Sequence, residues 1–296
     1  MLDERLVLSS NDVKKGLWHM FAAIFFFALT HASVKWLKHL HFTELVVFRA
    51  IISIFMCYWG IKAQKLSLWG SNKKDLILRG VFGTLALTCY FFSLQNMPLA
   101  TAVTVQYLSP IFTIIVSMFI LSEKVKPLQW LFFLMAFIGV VIIRQGTLNL
   151  EWTTLGVALL GSLGAGFAYT WVRKLRSTEH PLTIVFYFPL VTIPIIGPFA
   201  IYNWKTPALI DLPFILAIGV FTQLAQVQMT KALSFAQASD IGIMNYLGVI
   251  YAFLMGIFIF NETYTTMSLV GVMFIVFSVI FATQYGVKKH QKVKKI

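Results

Sequence analysis

"LATAVTVQYLSPIFTIIVSMFIL", residues 99–121, runs for 23 residues without a charged side chain. At roughly 1.5 Å of helical rise per residue, that is enough to cross a hydrocarbon core about 30 Å thick. Near its middle stand Gln106, Tyr107 and Pro110. The proline cannot donate to the carbonyl of Gln106 and its ring crowds the preceding turn, which predicts a bend in this span. A freed carbonyl and a side-chain amide at that depth need protein or a water-filled cavity beside them. A packing kink and a cavity-lining kink both satisfy this condition.

Apolar runs of similar length recur throughout the chain. The spans fall near residues 17–36, 43–61, 76–95, 99–121, 127–143, 153–173, 182–202, 212–233, 239–260 and 266–285. The composition agrees: 58% of the 296 residues are hydrophobic, 12% are charged, and the mean hydropathy is +0.80. These features predict an all-α polytopic membrane protein with ten transmembrane helices. Short alternating strands, as in a closed barrel, are not apparent. The longest break runs only from Lys62 to Asp75, so the work is expected within the membrane. The first span follows Lys14 and Lys15, as a signal peptide would. It is longer than a typical signal core and lacks a small-residue cleavage pattern, so it reads as a retained helix. Cys57 and Cys89 both fall within spans, which argues against a disulfide framework.

The net charge of +13 raises the question of a nucleic-acid partner. With the N-terminus in the cytoplasm, most basic residues, among them Arg5, Lys62, Lys74, Arg79, Lys124 and Arg173, fall on the cytoplasmic side. Lys35, Lys38, Arg144 and Lys205 fall opposite. That bias is the positive-inside rule, with both termini cytoplasmic in the inner membrane, and it accounts for the charge without nucleic acid. The tail "KKHQKVKK" (288–295) reads either as a contact with anionic membrane lipid or as a solubilising end.

An offset of 139 residues relates "GVFGTLA" (80–86) to "GVFTQLA" (219–225), "QYLSPIF" (106–112) to "NYLGVIY" (245–251) and "MFILSE" (118–123) to "IFIFNE" (257–262). A shared register across several spans predicts a duplicated five-helix unit, residues 1–146 and 147–296. Because five is odd, the second unit runs through the bilayer inverted. Inverted repeats are typical of secondary transporters whose midplane site opens to each side in turn. Glu123 and its mate Glu262 then lie on opposite membrane faces.

The motifs "FRA" (48–50), "RGVFG" (79–83), "MPLATA" (97–102), "LSPIF" (108–112) and "SEK" (122–124) resemble the EamA branch of the drug/metabolite transporter superfamily. The likeness covers the whole chain but is weaker in the second half, where Val249 stands in place of the family's usual proline. "RGVFG" with "MPLATA" is similar to the group that includes riboflavin and S-adenosylmethionine uptake carriers and organic-anion exporters. The resemblance implies a small-molecule carrier with its site between the first, third, fourth, sixth, eighth and ninth spans.

The polar residues within spans supply the candidate contacts. Gln223, Gln226 and Thr230 form one helical stripe, with Thr84 and Thr88 on its mate, and such stripes should face the bundle interior. They serve either a solute or helix packing. His31 is too short to reach a headgroup, so it is either a functional intramembrane group or a satisfied packing histidine. Lys35, Arg49 and Lys231 are either electrostatic elements of the pathway or snorkelling cations. Glu123 and Glu262, at span ends, read as turn caps or gate latches. Gln106, Asn245 and the rings of Tyr90, Tyr107, Tyr169 and Tyr246 suit a planar solute. The positive lean of His31, Lys35 and Arg49 favours an anionic or flavin-like solute over a cation. The sequence presents no metal-ligand cluster, calls for no cofactor, and lacks the constellation an intramembrane enzyme needs. A lipid flippase is a nearer alternative. A coupling proton or sodium ion and a monomer or homodimer all remain compatible with the chain. "GSLGAGFA" (161–168) reads as a close-packing surface.

Overall fold

A computed structural model describes residues 10–123, 125–147, 150–235, 244 and 246–293. The helices are α1 (Ser10–Trp36), α2 (Phe42–Ala63), α3 (Lys73–Asn96), α4 (Leu99–Gln106), α5 (Ser109–Ile120), α6 (Pro127–Gly146), α7 (Trp152–Leu175), α8 (Pro181–Tyr202), α9 (Leu212–Phe235), α10 (Leu247–Phe260) and α11 (Thr266–Val293). Among the described residues nine spans are long and apolar enough to cross a membrane. One of these, Leu99–Ile120, is made of α4 and α5 together, and the shorter apolar α10 lies where the ninth span is expected. The fold is therefore that of an all-α polytopic membrane protein.

Local chemistry sets the helix ends. Asn72 accepts the N–H of Asp75 at 3.2 Å to start α3, and the backbone N–H of Lys126 reaches the side chain of Gln129 at 3.0 Å to start α6. Each satisfies a polar group that lipid would leave bare. The fourth span breaks where Pro110 predicts a distortion. The N–H groups of Tyr107 and Leu108 fall back to carbonyls three residues earlier, at 3.1 and 3.0 Å, and Pro110 sits in the first turn of α5, where its missing donor is harmless. The break is sharper than a bend within one continuous helix. The mirrored segment includes residues 236–243 and Asn245, which lie outside the described residues.

The helices pack in matched pairs. α1 runs along α9 and α7 along α3, while α6 lies against α11 and α2 against α8. Gly80 of α3 meets Val191 of α8 so closely that a Cβ would stand 2.7 Å from it, and Gly219 of α9 meets Ile52 of α2 at 2.5 Å. Glycine is what permits each approach. In "GSLGAGFA", a Cβ on Gly164 would stand 3.2 Å from the backbone N of Ala86 in α3, and one on Gly166 would stand 2.6 Å from Phe112 of α5. Ser162 also donates to the Val105 carbonyl at 2.8 Å, so this run wedges α7 between α3 and the fourth span. The helix ends also match. Ser122 and Asn261, 139 residues apart, are both left-handed, with φ of 54° and 52°. The N–H groups that follow them, of Glu123 and Glu262, return to the carbonyls of Ser117 and Gly256 at 3.3 and 2.9 Å.

Candidate functional site

The helix break opens onto a cavity of about 380 Å³ in the middle of the bundle. Thr30 and His31 of α1, Arg49 of α2, and Arg79 and Tyr90 of α3 line one part of it. Gln106, Tyr107 and Pro110 line the break itself. Tyr169 of α7, Phe188 of α8, Thr222 and Gln226 of α9, and Gly248 of α10 complete the wall. The spans expected to surround the site all contribute, and the second and seventh spans add Arg49 and Phe188.

His31 Nε2 lies 3.2 Å from the Tyr90 hydroxyl, with the two rings edge to face at 5.2 Å. Arg49 is 8% exposed; its Nε donates to Thr222 Oγ1 at 3.4 Å. The Tyr107 ring packs at 5.7 Å from that of Tyr246, which lies beside the cavity rather than in its lining. Among the described lining residues there is no aspartate or glutamate.

Several expected site residues lie elsewhere. Gln223 turns from the cavity towards α2, where its amide is 3.5 Å from Cys57 Sγ, while Gln226 of the same stripe faces the cavity. Thr84 likewise meets Thr192 of α8 at 2.8 Å. Lys231 is exposed near the end of α9, and Asn245 lies outside the described residues. Lys35 points away from the cavity to Glu262, with Nζ and Oε1 2.6 Å apart and both side chains nearly buried at 12% and 11% exposure. The Glu262 carboxylate also accepts the N–H of Leu99, at 3.1 and 2.8 Å, which caps α4. Tyr264 donates to it at 2.5 Å. Burial and that neighbouring carboxylate hold the Tyr264 phenol above its ordinary pKa, so it remains a donor. A second hollow, about 290 Å³, lies at this loop beside Glu262 and Thr265. At the opposite end, Glu123 pairs with Arg173 of α7 at 2.5 Å, with side chains 44% and 39% exposed.

Arg79, Phe188 and Thr222 carry no site expectation from the sequence. Arg79 counts there among the basic residues of one membrane face and as the first residue of "RGVFG", with no role in the site. Its position inside α3, roughly 9 Å along by helical rise from Lys73, was the available signal that it reaches the bundle interior.

Nine membrane-length spans among the described residues, a mid-bundle cavity with polar side chains in a largely apolar wall, and a broken helix facing it are the features of a membrane transport protein. The chain matches the EamA-like transporter family over residues 14–145 and again over residues 152–284, and it belongs to that family. It is a transporter and not an enzyme. It is 28% identical over 271 residues to the pseudopaline exporter CntI of Pseudomonas aeruginosa, covering 90% of this chain and 95% of the relative. It is 27% identical to human solute carrier family 35 member G1, covering 89% and 77% respectively. The S-adenosylmethionine uptake transporter of Rickettsia bellii is also 27% identical, with coverage of 84% and 86%. A solved crystal structure shares the fold with a TM-score of 0.61 at 17% identity, covering 93% of this chain and 98% of that one.

Proposed function

We propose that this protein is a secondary-active carrier that moves a small organic solute across the cytoplasmic membrane by alternating access. The solute is held in the central cavity by His31, Tyr90, Gln106, Tyr107, Tyr169 and Gln226, with Tyr246 at its margin. The carrying observation is that cavity: helices from both parts of the chain bring polar side chains to one place within the bundle, beside backbone freed by Pro110.

Residues 1–146 and 147–296 act in this reading as inverted repeats that rock about the site, with both termini cytoplasmic. The two family matches support it, as do the left-handed residues Ser122 and Asn261 and the reciprocal contacts Gly80 with Val191 and Gly219 with Ile52. Both partners of the second contact are related to those of the first by the same 139-residue offset. Lys35–Glu262 and Arg173–Glu123 serve as latches at the two mouths. The nearly buried first latch favours a state closed at that mouth, whereas the second is wet and weaker. One relative is named for export and another for uptake, so the direction is not transferred.

Counterflow in proteoliposomes tests the proposal. Vesicles preloaded with members of a broad metabolite panel should accumulate trace label of a matching solute, saturably and only when the protein is present. Absence of exchange across amino acids, carboxylates, nucleotides and flavins would sink the carrier reading.

A further inference from the structure

The charge inside the cavity is unbalanced. Arg49 and Arg79 both line it, and their guanidinium carbons lie 5.1 and 4.7 Å from the centre of one aromatic ring, that of Phe188. No carboxylate among the described lining residues faces them. The Arg79 Nε and Nη1 nitrogens are buried without a hydrogen-bond partner. Its guanidinium is folded back across Gly83, where a Cβ would stand 3.0 Å from Nη1 and 3.0 Å from the Phe188 ring. The absence of a side chain at Gly83 therefore gives the arginine room to turn inward. Two like charges near one ring, with buried donors unfilled, form an arrangement that an incoming anion would relieve.

We propose that Arg79 and Arg49 seat a carboxylate of the transported solute beside the face of Phe188, making the substrate an organic acid. This rests on the reading of the cavity as the solute's site and adds the substrate class to it. A guanidinium presents a flat fork that matches the two oxygens of a carboxylate, and a second guanidinium can close on the same group. A phosphate is the competing oxyanion, but its tetrahedral oxygens call for donors on several sides. Here the neighbouring hydroxyls are partly engaged: Thr222 accepts from Arg49 at 3.4 Å and lies 3.5 Å from the Thr30 hydroxyl. Around the seat, Phe27, Leu87 and Phe91 supply apolar wall for the carbon skeleton of such an acid.

The test uses the full chain in detergent and compares succinate, tricarballylate and benzoate with succinamide, benzamide and inorganic phosphate. At least one acid should raise the melting midpoint, while its amide and phosphate should not. Arg79→Gln should weaken that acid's apparent affinity roughly thirtyfold, Arg79→Lys should recover part of the loss, and Arg49→Gln should act in the same direction. Because these variants can fail to fold, a second measurement uses the unaltered protein. Modification of Arg49 and Arg79 by phenylglyoxal, followed by peptide mass spectrometry, should be slowed by the acid and not by the amide. Equal effects of acid and amide, a shift with phosphate alone, or no protection by any acid would each overturn the seat. Counterflow separates the two failures: exchange of neutral or cationic solutes without acids leaves the carrier and removes the seat, and no exchange at all removes the carrier.

Discussion

Lys35 and Glu262 meet at 2.6 Å between the end of α1 and the loop after α10, and the same carboxylate caps α4 through the N–H of Leu99. A single acidic side chain thus holds three elements together. Removing one partner of a nearly buried pair leaves the other uncompensated, at a cost of roughly 3 kcal/mol. Glu262→Gln and Lys35→Met should therefore each destabilise the protein by about that much, and the double variant by clearly less than the sum. Denaturant unfolding of all four forms in detergent checks this, and strictly additive losses would show that the pair is not coupled.

The counterpart at the other mouth should behave differently. Glu123 and Arg173 are 44% and 39% exposed, so water screens their attraction even at 2.5 Å. Glu123→Gln is expected to cost less than about 1 kcal/mol, and the difference from the unaltered protein should shrink as salt is raised. A loss as large as that of Glu262→Gln would refute the asymmetry between the two mouths.

Much of this architecture is legible in the sequence because lipid leaves few options. A run such as 99–121 must be helical to satisfy its own backbone, and Pro110 must distort it, so the span and a distortion near its middle follow from residue types, while the full break into two helices does not. The side chains of the site are harder to read. Gln223 and Gln226 share a helical stripe, yet only Gln226 faces the cavity, because α2 lies close enough for Cys57 to receive Gln223. A stripe about 100° wide cannot resolve such neighbours without knowing which helix packs where. Arg79 escaped for a related reason: a basic residue near a span end reads as a positive-inside charge, and only its turn over Gly83 brings it to Phe188.

Pro110 gives a third prediction. The N–H missing at residue 110 leaves the Gln106 carbonyl without its usual helical partner, beside the cavity. Pro110→Ala supplies that donor and permits α4 and α5 to join, which should draw Gln106 and Tyr107 from their present positions. Counterflow by the variant should fall severalfold, with a melting midpoint equal to or above that of the unaltered protein. A drop in both together would indicate that the proline serves stability instead of the shape of the site.

The reciprocal glycine contacts provide the most direct test of whether the chain is built from two equivalent halves. Gly219 meets Ile52 and Gly80 meets Val191, at 2.5 and 2.7 Å from where a Cβ would stand, so even alanine forces each helix pair apart. Overpacking of this kind costs roughly 1–3 kcal/mol. If the two contacts are equivalent under a pseudo-two-fold axis, Gly219→Ala and Gly80→Ala should destabilise to a similar degree. Trimming the partner, by Ile52→Ala or Val191→Ala, should restore much of the loss at its own site and none at the other. Rescue that crosses between the sites would indicate general loosening of the bundle. Large unequal costs with proper local rescue would mean that the halves share sequence register without sharing mechanical load, and the rocking motion would then have to be centred on one half.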